Sequence, residues 1–240
     1  MTSTDRLEVL KSAAGFATLD EPVLVGLAAR VTPRSFAAGA TVFAEGDECR
    51  HLYVLVSGRV KFTRVALDGR EQIQKIFERP GDMFCLASAF TAGMHIVTGT
   101  AAASSKLIPI PMSDVRALAE QHPKLGMSLM RAAGEHLHHL VELADDLALK
   151  SATSRLAKYL HDAVSALPQN GEAPTSLRRT HFREDELAAM LGTVRVNVSR
   201  SFANLARAGA ITLRRDVILV NDRHALKRIA QGHPLPTKHL

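Results

Sequence analysis

Two arginines in one short segment have the chemistry and spacing of a surface that contacts a polyanion. Arg195 and Arg200 stand five positions apart, with Val196, Asn197 and Ser199 between them, in a stretch of helical apolar periodicity. A guanidinium group can donate two parallel hydrogen bonds to a phosphate, or to the O6 and N7 atoms of guanine, whereas an ammonium group acts only as a point charge. The segment therefore predicts contacts with phosphate or with base edges.

The residues around these arginines predict a helix over 184–191, a turn, and a second helix over 195–207. In the second helix apolar residues recur at i, i+4 and i+7, at Val198, Phe202 and Leu205. The opposite face carries Arg195, Val196, Ser199, Arg200 and Ala203. Gly192 permits a tight turn, and we expect the hydroxyl of Thr193 to cap the second helix. The layout is that of a helix-turn-helix.

The positive charge of the chain is concentrated in its last third. Residues 1–149 hold 15 Lys and Arg against 17 Asp and Glu, whereas residues 150–240 hold 15 against 7. The same region has two alternating apolar runs around Arg214 and Arg215, which predict two strands joined by a basic turn. A basic face can be merely solvated, but beside a helix-turn-helix it indicates DNA binding. The expected DNA-binding residues are Arg183, Thr193, Arg195, Val196, Asn197, Ser199, Arg200, Arg214 and Arg215.

Between residues 36 and 111 the pattern changes to short strands. The segments TVFAEGD, HLYVLVSGRVKF, REQIQKIF and KLIPIP are rich in β-branched or aromatic residues, and glycines recur at Gly46, Gly58, Gly69 and Gly81. Turn signals at this spacing predict an all-β barrel or sandwich. Asp68-Gly69 predicts a hairpin in which both turn residues take positive φ.

After Pro111 the helical period returns. Seven positions are separated alternately by three and four residues: Gly126, Leu129, Ala133, His136, Leu140, Leu143 and Leu147. This heptad seam predicts a long helix that pairs with a second copy of the chain. We therefore predict an α+β chain with a sensor β-barrel and N-terminal helices at 1–115, a dimerisation helix at 116–149, and a winged helix-turn-helix domain at 150–240.

Several other classes of protein are disfavoured. No apolar run approaches the roughly 18 residues that cross a bilayer, and the N-terminus does not resemble a secretory signal. Cys49 and Cys85 form neither a disulfide framework nor a metal-binding motif, so we expect a cytoplasmic protein without a metal site. A metal-dependent cupin-type enzyme is disfavoured because residues 36–110 offer only His51 and His95 as imidazole ligands.

These segments together resemble the CRP/FNR family of bacterial transcription regulators over about residues 16–229. The matching stretches include GATVFAEGD, DGREQIQKIFERPGDMF, LKSATSRLAKYL and ELAAMLGTVRVNVSRSFANLARAGAI. The resemblance implies a cyclic-nucleotide-binding-type barrel (a double-stranded jelly roll), a homodimer on a palindromic site of double-stranded DNA, and contact with RNA polymerase, commonly for activation. It places Arg195 and Arg200 on the family's base-reading arginines, whereas Val196 replaces a common glutamate.

The expected sensor site departs from the nucleotide-binding members of the family. Where those members carry Gly-Glu and an Arg-Ser pair for the cyclic phosphate, this chain has Cys85-Leu86 and Ile96-Val97, so cyclic AMP is not the expected effector. Two cysteines cannot supply four ligands to an iron–sulfur cluster. The expected cofactor-binding residues are Cys85, Leu86, His95, His136 and Leu140, and Phe84, Phe90 and Ile96 complete an apolar lining.

Such a lining fits haem, a small aromatic molecule, or no ligand. The GDMFC turn resembles that of the family's haem-based carbon monoxide sensor, in which the cysteine binds iron, but the histidine two residues later is Ala87 here. Two hypotheses stay open for the whole chain. It is a regulator controlled by an effector, or a DNA-binding dimer whose barrel is an effector-independent scaffold.

Overall fold

The computed structural model describes residues 1–86, 93–167, 175–178 and 183–235. The chain divides into two compact units, one of residues 1–65 with 73–141 and one of residues 66–72 with 142–240. Among the described helices, none has the length and apolar character needed to cross a membrane.

The first unit begins with two short helices, α1 (Ser3–Ser12) and α2 (Glu21–Arg30), separated by a 3-10 turn at Phe16–Thr18. A capping box starts α1, because the Thr2 hydroxyl accepts a hydrogen bond from the Asp5 N–H while the Asp5 carboxylate accepts one from the Thr2 N–H. Both helices contribute buried residues, Leu10 from α1 and Leu24 and Leu27 from α2, to the same core as the strands that follow.

The strands of the first unit form two four-stranded sheets. They are β1 (Arg34–Phe36), β2 (Thr41–Phe43), β3 (His51–Ser57), β4 (Val60–Val65), β5 (Glu71–Phe77), β6 (Met83–Phe84), β7 (Thr98–Ala101) and β8 (Ser105–Pro111). The strand orders are β1-β8-β3-β6 and β2-β7-β4-β5, with antiparallel β3–β8 and β4–β7 pairs. This arrangement confirms the predicted jelly-roll barrel.

The turn between β4 and β5 differs from the prediction. The Gly69 N–H donates to the Ala66 carbonyl and the Ala66 N–H donates to the Arg70 carbonyl, both at 2.9 Å. Gly69 has a φ of +82°, but Asp68 does not have a positive φ. The expectation of positive φ at both residues was wrong, because a three-residue loop needs only its last residue in the left-handed region.

Two helices follow the barrel strands, α3 (Met112–Gln121) and α4 (Pro123–Leu149). They are separated at His122, because Pro123 lacks an N–H and disfavours helical geometry at the residue before it. The start of α4 belongs to the barrel core, where Leu125 and Leu129 are fully buried. The range 116–149 therefore contains the end of α3 and the whole of α4.

The second unit is a helical domain with a small sheet. Its elements after α4 are α5 (Ala152–Ser165), β9 (Thr175–Arg178), α6 (Glu184–Met190), α7 (Arg195–Arg207), β10 (Ile211–Leu213), β11 (Val217–Val220) and α8 (Arg223–Ala230). The strands pair antiparallel in the order β10-β11-β9. Leu160, Phe202 and Leu226 lie in one core that joins α5, α7 and α8. The predicted winged helix-turn-helix is confirmed.

Candidate DNA-binding face and effector pocket

A tight turn at Gly192 sets the positions of α6 and α7. Gly192 has a φ of +58°, in the left-handed region that glycine adopts at little cost. The Thr193 N–H donates to the carbonyl of Ala188 at 2.9 Å, five residues back, which is the closing bond of a Schellman motif. Gly192 therefore ends α6 and lets the chain turn directly into α7.

The start of α7 differs from the prediction. Val194 is the N-cap residue, and no side chain caps the helix. The hydroxyl of Thr193 instead accepts a hydrogen bond from Nδ2 of Asn197 at 3.1 Å. The expectation that Thr193 caps the helix was wrong, because Thr193 lies one residue before the N-cap position and its hydroxyl already accepts a hydrogen bond from the Asn197 side chain. Thr193 and Asn197 are both half-buried.

The two faces of α7 have opposite environments. Its core face consists of Val198, Phe202 and Leu205, all buried. Its opposite face is exposed, and with Glu184 it lines a shallow surface depression of about 440 Å³ formed by Arg195, Val196, Ser199, Arg200 and Ala203. The helical period in the sequence therefore identified the exposed face of α7 correctly.

The two arginines on this face differ in their electrostatic surroundings. Nε of Arg195 lies 3.2 Å from a carboxylate oxygen of Glu184, and its Nη1 lies 3.9 Å from one of Asp185. Arg200 forms no ion pair or hydrogen bond with the residues that the structure describes. An exposed ion pair contributes only ~0–1 kcal/mol. Arg195 can therefore exchange its carboxylates for an external acceptor at small cost.

The remaining predicted DNA-binding residues lie at the edges of the second unit. Arg214 and Arg215 are exposed in the turn between β10 and β11, where the Arg214 N–H donates to the Val217 carbonyl at 2.9 Å. Arg183 is exposed at the N-cap of α6. These positions surround the helix-turn-helix with positive charge.

The first unit contains a cavity of about 460 Å³. Its apolar lining comes mainly from Phe43, Phe62, Phe77, Phe84, Leu86, Ile96 and Val97. Cys85 and His95 also line it, and α4 contributes Ala132, Glu135 and His136. Leu140 does not line the cavity that the described residues form, in contrast to its predicted place in the pocket. Phe90 and Ala87 lie outside the described residues.

The cavity is more polar than the sequence predicted. Among the described residues, five charged ones line it: Lys75, Glu78, Arg79, Asp82 and Glu135. The ammonium of Lys75 lies 5.2 Å from the centre of the Phe77 ring, and burial lowers the pKa of that ammonium. Apolar spacing in the sequence missed this polar side because the charged residues come from a strand, a turn and a helix.

Two histidines of α4 face the barrel. Burial, reinforced by Lys75 and His139, lowers the pKa of His136 from 6.5 to about 4. The rings of His136 and His139 are 6.4 Å apart, and Nε2 of His139 lies 2.9 Å from the Gln74 carbonyl oxygen. A neutral imidazole at His136 therefore borders the cavity at physiological pH.

Two cysteines and a histidine converge inside the barrel. The sulfur atoms of Cys49 and Cys85 and a ring nitrogen of His95 all lie within 4.8 Å of one another. All three residues are buried. No metal site was expected from the sequence, since these residues are 36 and 10 positions apart and match no ligand motif.

Main-chain hydrogen bonds hold two of these three residues next to each other. The Cys49 N–H donates to the Gly93 carbonyl at 2.6 Å, and the His95 N–H donates to the Asp47 carbonyl at 2.8 Å. The Cys49 thiol donates to the carbonyl oxygens of His51 and Cys85, at 3.7 and 3.9 Å. The neighbouring Cys85 side chain lowers the pKa of the Cys49 thiol, whereas burial raises the pKa of the Cys85 thiol. The barrel therefore positions the cluster through its backbone.

Haem does not fit this arrangement. In a haem with Cys85 and His95 as axial ligands, the two donor atoms lie on opposite faces of the macrocycle. The Cys49 sulfur lies within 4.8 Å of both of these donor atoms, where it would clash with the porphyrin ring. The His95 ring also stacks on Phe43, with ring centres 3.8 Å apart. The expected haem site is therefore not supported.

Each of the two units matches a known protein-domain family. The cyclic nucleotide-binding domain family matches residues 33–122, and the Crp-like helix-turn-helix domain family matches residues 154–229. The chain is 30% identical over 226 residues to the CRP-like cAMP-activated global transcriptional regulator of Mycobacterium tuberculosis, covering 93% of this chain and 99% of that protein. It is 28% identical over 195 residues to the fumarate and nitrate reduction regulatory protein of Escherichia coli, covering 81% and 76% respectively.

A solved structure shares the fold. FixK2 from Bradyrhizobium japonicum superposes with a TM-score of 0.69 at 20% identity, covering 83% of this chain and 96% of that chain.

Proposed function

Because the chain belongs to the CRP/FNR family of DNA-binding transcription regulators, we propose that it acts as a cytoplasmic homodimer on a palindromic DNA site, under the control of an effector other than cyclic AMP. By analogy with the family, the bound dimer contacts RNA polymerase and activates transcription.

The exposed face of α7 is the observation that supports this proposal most directly. Its apolar side is committed to the core, so Arg195, Val196, Ser199 and Arg200 are free to face the major groove. Arg195 and Arg200 can each grip a guanine or a phosphate in a fork, and the methyl groups of Val196 suit the methyl group of thymine. Contacts to the sugar-phosphate backbone of the DNA support or extend this interface, and five further residues make them: Arg183, Thr193, Asn197, Arg214 and Arg215.

The proposed dimer uses a face of α4 one residue away from the predicted seam. Leu129, in the predicted seam, is 0% exposed and cannot reach a second copy. In contrast, Met127 and Leu137 are each 63% exposed. They belong to a second heptad pattern, which we call the exposed seam: Met127, Met130, Gly134, Leu137 and Val141. An apolar heptad stripe open to solvent favours helix pairing across a two-fold axis.

The cavity argues against cyclic AMP as the effector. Ile96 and Val97 offer no hydrogen bond or charge to a phosphodiester from their side chains, and Cys85 and Leu86 offer no carboxylate to a ribose. In the described part of the lining, two cations, Lys75 and Arg79, stand against three carboxylates. A phosphate buried there would lack compensation, which costs several kcal/mol.

Selection of bound duplexes from a random-sequence DNA library, using the full-length protein, tests the DNA-binding part. We expect inverted repeats whose half-sites are centred about 10–10.5 base pairs apart, because a two-fold dimer places its recognition helices in successive major grooves. Failure to enrich any duplex, even at low ionic strength, would overturn this part of the proposal.

Calorimetric titration with cyclic AMP tests the effector part separately. We expect no saturable heat and no change in affinity for the selected duplex. Binding of one nucleotide per chain would contradict the proposal while leaving the DNA-binding result intact.

A further inference from the structure

The cluster of Cys49, Cys85 and His95 has the composition and geometry of a metal site. From it we propose that the barrel binds one thiophilic metal ion, Zn²⁺ or Cu⁺, through the two sulfur atoms and one imidazole nitrogen. The three donor atoms come from the end of a tight turn, the residue after β6 and the segment before β7.

The distances are close to those of a filled site. With bonds of ~2.3 Å to sulfur and ~2.1 Å to nitrogen, ligand atoms of a tetrahedral zinc ion lie ~3.6–3.8 Å apart. The donors here lie within 4.8 Å of one another, so ~1 Å of closure suffices. Changes in side-chain torsion alone can supply such a movement.

His95 presents its ring nitrogens where a ligand can reach them. The residue is 4% exposed and its ring stacks on Phe43, and its ring nitrogens form no hydrogen bond with the residues that the structure describes. His95 also lines the cavity. An imidazole in this position can therefore bind a metal ion without giving up a hydrogen bond to another described residue.

Cys85 has a backbone conformation that is unfavourable for a residue with a Cβ atom. Its φ is +72°, and it is the one non-glycine residue with a positive φ among those described. Glycine would adopt this conformation freely, whereas a residue with a Cβ atom is strained by ~1–3 kcal/mol. The strain places a thiol, which a glycine lacks, beside Cys49 and His95.

The donor set selects the class of metal. Thiolate sulfur prefers Cu⁺ and Zn²⁺, whereas Mg²⁺ and Ca²⁺ require oxygen ligands, and the cluster contains no carboxylate. Three protein ligands leave a coordination position open. Since Cys85 and His95 also line the cavity, the ion can enter, and an external ligand can reach it, from that side.

The consequence for transcription rests on the proposed function, since the ion would be the effector of the DNA-binding dimer. Metal binding itself does not depend on DNA binding. It is therefore measured on the protein alone, and the two proposals can fail independently.

The test is a titration of the reduced, chelator-treated full-length protein with Zn²⁺ and with Cu⁺, each against a chromophoric chelator of known affinity. We expect one ion per chain, and no competition by Mg²⁺. Replacing an outer-shell partner of a metal ligand already costs 10–100-fold in affinity, so Cys49→Ser, Cys85→Ser and His95→Gln should each weaken binding by at least ~100-fold. The ratio of the two affinities shows which ion this donor set prefers.

His51→Gln is the matched control, because the His51 side chain lies on the same barrel but outside the cluster. The metal affinity of this variant should equal that of the unmodified protein. Co²⁺ binding to the unmodified protein gives a second readout, since a sulfur-to-cobalt charge-transfer band reports thiolate ligation even where a variant folds poorly. The proposal is overturned if neither ion binds at one per chain, if the cobalt complex lacks that band, or if binding is unaffected in all three folded variants.

Discussion

His136 shows how one buried side chain on α4 makes the first unit sensitive to acid. Its pKa is lowered to about 4 by burial first, and then by the positive charge of Lys75 and by His139. In the unfolded chain the same imidazole titrates near its ordinary value of 6.5. The folded state therefore binds fewer protons than the unfolded state between these two values, so its stability decreases as the pH is lowered through that window.

We predict that His136→Gln makes the protein less sensitive to acid. The free energy of unfolding of the unmodified protein should fall as pH drops below 6.5 and continue to fall until about 4. The variant lacks this contribution and should lose less stability over the same range. Urea denaturation at about pH 7 and about pH 5, followed by circular dichroism, measures the difference. The exposed neighbour His138, changed to Gln, is the control, and equal losses in both variants would contradict the assignment.

Substitution of Arg200 tests whether this residue recognises a base. Each bidentate contact to guanine discriminates by ~1–3 kcal/mol, so Arg200→Ala in a dimer should lose ~2–6 kcal/mol of affinity for the selected duplex and little for random DNA. Arg200→Lys should also lose specificity, because an ammonium cannot form the fork. Fluorescence anisotropy with both duplexes measures these affinities, and Arg30→Ala, exposed on α2, is the control. Equal losses on both duplexes would assign Arg200 to a phosphate contact.

The elements of the fold differ in how well the sequence predicts them. The period of α7 identified its buried face correctly, because the only apolar residues on the opposite face of the helix are Val196 and the small Ala203. In α4 two heptad patterns run side by side, and both alternate between three and four residues. Periodicity cannot decide between them. Packing against the barrel distinguishes the two patterns, because it buries Leu129 and leaves the exposed seam accessible to a partner.

We predict that an acidic residue in the exposed seam separates the dimer without unfolding the barrel. Leu137→Asp places a charge where two helices would meet, and sedimentation should show monomers with an unchanged melting temperature for the barrel. Leu129→Asp should instead unfold the barrel, because it buries a charge in the core. Val25→Asp, an exposed apolar residue on α2, is the matched control and should leave the dimer intact. A persistent Leu137→Asp dimer would exclude the exposed seam as the interface.

Sequence patterns predicted the architecture but not the cysteine–histidine cluster. Strand periods, glycine spacing and the helix-turn-helix are local signals, so each could be identified within a short window. Cys49, Cys85 and His95 come from three segments that meet only after the two sheets have formed. The predicted place of Leu140 in the cavity shows a different limit. The apolar character of a residue predicts that its side chain is buried, but it does not predict which cavity that side chain lines.

The uneven distribution of charge leads to a prediction about salt. Residues 150–240 carry the whole positive excess of the chain, with 15 Lys and Arg against 7 Asp and Glu. Each phosphate contact adds ~0.9 to the slope of log affinity against log salt. Changing Arg214 and Arg215 to Gln should therefore reduce the slope by up to ~3.6 in a dimer, since four charges are lost. Affinity should fall about equally on specific and random duplexes, because phosphate contacts carry no sequence information.

The matched control for this double variant is Arg34→Gln with Arg50→Gln, which removes the same charge from exposed positions in the first unit. Its slope should equal that of the unmodified protein, because total charge acts weakly beyond a screening length of about 10 Å whereas a phosphate contact acts locally. Anisotropy titrations over a range of potassium chloride concentrations measure all three slopes. If both variants lower the slope equally, net charge explains the effect and the turn between β10 and β11 does not contact DNA. If only the Arg214 and Arg215 variant lowers it, the turn lies on the phosphate backbone beside the groove that α7 enters.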